Sequence, residues 1–113
     1  MIEPAAQVLF GHMLEAVRQA RVFVEGMDRD QFLADKRTQQ AVTLNLIIIG
    51  EAASRLMDRH PDLAAAHPEI EWRAMRGMRN RIAHGYYDVD MDVVWETLTS
   101  ALPELESALT RLA

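Results

Sequence analysis

Apolar residues recur in alternating steps of four and three along most of this 113-residue chain. The clearest run is Met91, Trp95, Leu98, Leu102, Leu105, Leu109 and Leu112. That step marks helices buried along one side, because about 3.6 residues close a helical turn. Ala6, Phe10, Met13, Val17, Ala20, Val24 and Met27 repeat it near the N-terminus, and Val42, Leu46, Ile49, Ala53 and Leu56 repeat it in the middle. No stretch alternates with a period of two, and no internal repeat stands out. The pattern predicts an all-α, antiparallel bundle of four to five helices, forming a single domain over residues 1–113.

Local signals punctuate that pattern. Gly26 is placed to stop the first helix, and "DRDQFLAD" supplies helix-starting aspartates and a short helical turn. The second helix is expected from Asp35 to His60, ended by Pro61. Residues 61–69 read as a loop with a turn of helix at "DLAAA", and Pro68 sits where a helix could restart. The third helix is expected from Ile70 to His84, with Gly85 as its left-handed cap. Asp90 suits the N-cap of the fourth, which Pro103 is expected to kink.

The second helix carries a second apolar side: Leu44, Ile47, Ile48 and Ala52. In so short a chain, a helix greasy on two sides predicts a homodimer interface. Glu51, beside Gly50, interrupts the run and reads either as a supporting site residue or as an ordinary surface glutamate. There are no cysteines, so thiolate chemistry and disulfides are excluded and the cytoplasm is the expected compartment. No signal-like leader and no membrane-length apolar window are evident.

The net charge of −5 at first disfavours a nucleic-acid partner. Its distribution argues otherwise. Arg73, Arg76, Arg79 and Arg81 occur before His84 with no acid among them, leaving eight basic against seventeen acidic residues elsewhere. Single-sign blocks mark partners or substrates, although arginines near a helix C-terminus also complement its dipole.

The block ends in "RNRIAHGYY", residues 79–87. Arg73, Arg76, Asn80 and His84 share one helical side, opposite Met75, Met78 and Ile82, while Arg79 falls at the apolar edge. On an ideal helix Arg79 and His84 point about 140° apart. They would converge only if the last turn unwound at Gly85 or if two chains met. A histidine exchanges protons near neutrality and an arginine forks onto phosphate oxygens. These parts suit metal-independent RNA cleavage, in which the 2′-hydroxyl attacks the adjacent phosphorus. On spacing alone they suit equally a helix-end histidine among solvated arginines.

The motif resembles the R-x4-6-H-x-Y signature of HepT-like toxins in the HEPN ribonuclease superfamily. Arg79, Asn80, His84 and Tyr86 take the motif positions. "LNLIIIGEAASRL" and "WRAMRGMRNRIAHGYYDVDMDVVWETL" extend the likeness to the second helix, the third helix and the entry to the fourth. The resemblance implies a homodimeric endoribonuclease toxin whose two motifs meet in a cleft. It implies a minimal nucleotidyltransferase antitoxin that attaches AMP to the motif tyrosine. His84 would then be the acid/base, Arg79 the phosphate-holding group, Asn80 their support and Tyr86 the modified residue, with Tyr87 a second hydroxyl beside it. Arg73, Arg76 and Arg81 would bind RNA phosphates. No cofactor and no membrane partner are implied.

Two other classes compete. A non-catalytic bundle would use the same cations to bind a nucleotidyltransferase or a nucleotide. A metal protein is poorly supported, because His12, His60, His67 and His84 lack ligand spacing and His12-x-x-Glu15 is the nearest approach. Trp72 and Trp95 read as core or interface anchors rather than base-stacking groups, and the methionines as packing.

Overall fold

Caps and breakers set the helix ends in the structure, a computed structural model describing residues 2–112. Helix α1 (Pro4–Phe23) starts on a proline, which has no N–H to leave unpaired. It ends three residues before Gly26, the stop expected for it, and Val24 packs against the core beyond it. Gly26 supplies the turn, with φ +79°, the left-handed region that favours glycine. Helix α2 (Arg29–Leu33) opens on a capping box between Asp28 and Gln31.

Asp35 caps helix α3 (Lys36–Arg59) by accepting from the Thr38 N–H (3.1 Å) and hydroxyl (2.7 Å). Those bonds hold the Asp35 carboxyl below the usual aspartate range. Pro61 both stops α3 and begins helix α4 (Pro61–Ala65).

Helix α5 (Trp72–His84) starts later than the pattern suggested. Pro68 opens no helix; residues 67–72 turn instead, with Ile70 N–H donating to the His67 carbonyl. The buried Trp72 pins this turn, its indole N–H reaching the carbonyls of Ala64 (3.0 Å) and His67 (3.1 Å). Gly85 is not a left-handed cap: its φ is −158°, and a short 3₁₀ turn (Tyr86–Asp88) follows directly.

Asp90 caps helix α6 (Met91–Glu96). A π turn over Thr97–Ala101 joins α6 to helix α7 (Leu102–Leu112). The disturbance expected at Pro103 takes that form. Proline offers no N–H to the preceding turn, and the widened turn, with Leu102 N–H bonding the Thr97 carbonyl, absorbs the mismatch.

The fold is an all-α bundle, and no strand occurs among the described residues. Helix α3 is central, with α1 packed along one side and α5 along another; α7 lies against α1, and α2 bridges α3 and α6. Met13, Val17, Phe32, Val42, Ile49, Leu56, Ile82 and Val94 form the fully buried centre. Phe32 meets the ring of Trp95 at 5.3 Å, and Phe10 meets Trp72 edge-on at 6.2 Å, so both tryptophans are packing anchors. No helix is long and apolar enough to cross a membrane among the described residues.

Candidate active site

The seam between α3 and α5 governs the arginines. The two helices run antiparallel and come so close at Gly50 that a Cβ there would overlap the Arg79 side chain and stand 2.6 Å from the Met75 carbonyl oxygen. Three polar residues follow along the same stripe of α3, at Glu51, Ser54 and Asp58, spaced for one helical side. They receive the cations of α5. Arg79 donates through Nη2 to Ser54 Oγ (3.0 Å) and pairs through Nη1 with Glu51 (3.3 Å). Arg76 donates to the same Ser54 Oγ (3.1 Å), to the Ser54 carbonyl (3.2 Å) and to Asp58 (2.7 Å).

Arg79 is therefore turned inward. Its Nε is buried and has no hydrogen-bond partner. Such an orphan donor costs about 1–3 kcal/mol, so the position is held by its surroundings rather than by its own bonds alone. Arg76 also leaves the exposed side assigned to it by spacing, because Asp58 and Ser54 draw it to the seam.

The other half of the motif faces elsewhere. Arg73, Asn80, Arg81 and His84 are exposed. Arg73 and Arg81 have no carboxylate partner among the described residues. His84 and Arg81 border an open cavity of about 480 Å³ with Met78, Gly85, Asp88 and Val93. A second, largely apolar cavity of about 300 Å³ shares Met78, Arg81 and Val93, so one groove follows α5 beside the C-terminal helices.

The last turn of α5 does not unwind: Gly85 N–H still donates to the Arg81 carbonyl at 3.1 Å. One chain thus presents Arg79 to α3 and His84 to the groove. The structure brings His84 together with Arg81, not with Arg79.

Tyr86 is partly buried against the core, whereas Tyr87 is 96% exposed, with their rings 5.9 Å apart and edge-on. Glu51 is half-exposed and also pairs with Arg55 (3.6 Å). Among the described residues, no three His, Asp or Glu side chains converge as a metal-binding group.

Gly50, Ser54 and Asp58 were not singled out for chemistry from the sequence. Their signal was the helical spacing of small and polar residues beside Glu51, which has no meaning until α5 is known to lie against it.

Along Leu44, Ile48, Glu51 and Arg55, α3 keeps a stripe outside the core, bordered by Ile47, which is partly buried against it. Leu44 is 58% and Ile48 37% exposed. Ala52, expected on this second apolar side, is instead buried within the chain. Residues 50 and 54 face 79 and 76, so the antiparallel register puts Leu44 near the level of His84 and Ile48 about one turn away, near Arg81.

The family model "Ribonuclease HepT-like" matches residues 13–112. A protein named "Probable ribonuclease HepT" from Thermococcus cleftensis is 38% identical over 87% of this chain and 86% of its own length. "Putative RNase MJ0127" of Methanocaldococcus jannaschii is 31% identical over 80% of this chain and 73% of its own. "Putative RNase TTE0752" of Caldanaerobacter subterraneus subsp. tengcongensis is 29% identical over 89% of this chain and 88% of its own. No solved structure is a significant match.

Proposed function

The chain belongs to the ribonuclease HepT-like family of the HEPN superfamily, and from that membership we propose a metal-independent endoribonuclease acting as the toxin of a toxin–antitoxin pair. RNA is the substrate. His84 takes the proton of a 2′-hydroxyl, the freed oxygen attacks the adjacent phosphorus, and the 5′-oxygen of the next nucleotide leaves with a proton returned to it. Arg79 holds the phosphate, and Asn80 supports the pair. Arg73 and Arg81 attract the flanking backbone. Metal independence rests on the chemistry of this set, since imidazole moves the protons and guanidinium offsets the developing charge.

The observation that carries this reading is the exposed His84 at an open groove beside Arg81, a cation without a carboxylate partner among the described residues. Asp88 and Asp90 also line that groove, so Arg81 is the group there that attracts a phosphate. Arg79 must reach His84 from a second chain. The exposed Leu44, near the level of His84, and Ile48, one turn along α3, support a two-fold dimer through α3.

Regulation follows from Tyr86. An AMP attached there by a minimal nucleotidyltransferase would add bulk and negative charge two residues from His84, and so repel RNA. The engagement of Arg79 by Glu51 and Ser54 is the feature that favours the competing reading, a binding module without cleavage. His84→Ala decides between them. Cleavage of single-stranded RNA in the presence of a chelator should be lost in that variant while its helical spectrum is unchanged. Undiminished cleavage would remove His84 from the reaction, and a wild type with no cleavage would favour the binding module.

A further inference from the structure

Two arginines of α5 converge on one hydroxyl. Ser54 Oγ lies 3.0 Å from Arg79 Nη2 and 3.1 Å from Arg76 Nε, and Ser54 is only 6% exposed. A hydroxyl oxygen has two lone pairs, and here both are taken by guanidinium donors. Two like charges brought to one buried oxygen repel. The flanking carboxylates offset this, with Glu51 on the Arg79 side and Asp58 on the Arg76 side. The result is an alternating row: Glu51, Arg79, Ser54, Arg76, Asp58.

The row treats the two free nitrogens of Arg79 differently. Nη2 is anchored on a buried, neutral hydroxyl. Nη1 is held by Glu51, whose side chain is 45% exposed and already shared with Arg55. An exposed carboxylate in a shared pair is the easier partner to exchange for another anion. Gly50 fixes the backbone approach, so Arg79 has little freedom to find other bonds.

We propose that Ser54 is the positioning residue of Arg79: its hydroxyl holds Nη2, so that Nη1 can pass from Glu51 to the phosphate of the RNA. This rests on the ribonuclease reading above. Ser54 touches no substrate; it aims the group that does. Losing that aim should act on kcat more than on KM, because a displaced donor fails where charge develops.

The test compares Ser54→Thr with Ser54→Val. Both add the same bulk at the buried site, and only threonine keeps a hydroxyl. Expected is a kcat on a mixed-sequence single-stranded RNA oligonucleotide at least about tenfold higher for the threonine variant, with KM within about twofold. The Arg79 Nε–H resonance in a nitrogen–proton spectrum should stay near its wild-type position in threonine and shift in valine. Equal kcat in the two variants, whether high or low, overturns the proposal. So does an Arg79 resonance indifferent to the hydroxyl. If the wild type cuts no RNA, the ribonuclease reading fails, and the resonance still decides whether Ser54 holds Arg79.

Discussion

The four arginines of α5 divide into two kinds. Arg76 and Arg79 are tied into the α3 seam, while Arg73 and Arg81 stand in solvent without a carboxylate partner among the described residues. Their substitutions should separate accordingly. Arg81→Ala should weaken RNA binding and lower the salt slope by about one, with the melting temperature unchanged. Arg76→Ala should destabilise the fold by about 0.5–1.5 kcal/mol, chiefly through its lost bonds to the buried Ser54, since Asp58 is largely exposed and Ser54 keeps Arg79 as a donor. Binding titrations across salt, beside thermal melts, check both. The sequence showed the positive block but not this division. Helical angle alone put Arg76 with Asn80 and His84, since only the packing of α5 on α3 reveals Ser54 and Asp58. The odd angle of Arg79 was legible, and the structure explains it as a cation turned into a seam.

At the scale of elements, two glycines carry opposite demands. Gly50 is where α3 and α5 touch most closely, and any side chain there meets Arg79 and the Met75 backbone. Gly50→Ala should cost about 1–3 kcal/mol and loosen the seam, visible as a lower melting temperature and altered Arg79 resonances. Gly85 looked like the indispensable one from its place after the third helix. Its φ of −158° is open to other residues, and a Cβ there would find its nearest neighbour at 3.7 Å. Gly85→Ala should therefore change stability by no more than about 0.5 kcal/mol. Helices α1 and α3 were legible because their apolar repeats are long, and in α3 because Asp35 and Pro61 also mark its ends. The start of α5 and the π turn were not. The former depends on Trp72 pinning residues 64–67, and the latter on how the chain accommodates Pro103 within a packed helix.

Across the whole molecule, α7 is clasped to α1 by Glu106, which accepts from Arg21 (2.5 Å) and Arg18 (3.4 Å). The Arg21 guanidinium, then Arg18, holds the Glu106 carboxyl below the usual glutamate range. A depressed folded-state value means the clasp stabilises fully above the unfolded glutamate value of about 4.3 and is lost as pH falls below it. Glu106→Gln should lower stability at neutral pH by at most about 1 kcal/mol, the pair being near the surface. That difference should vanish in acid melts. A larger question of assembly follows from α5, which sends Arg79 and His84 to different sides. If the active site is shared across a two-fold axis, neither His84→Ala nor Arg79→Ala cuts RNA alone. Mixed and re-associated, they form some dimers in which one chain supplies Arg79 and the other His84. Random pairing would restore about a quarter of wild-type activity, since half the dimers are mixed and each has one complete site. A Leu44→Glu change in both chains should abolish that recovery by opposing the apolar α3 contact, and sedimentation should then show monomers. Mixtures that stay inactive while remaining dimeric would place Arg79 and His84 in separate roles. The inward pairing of Arg79 with Ser54 and Glu51 would then be its whole function.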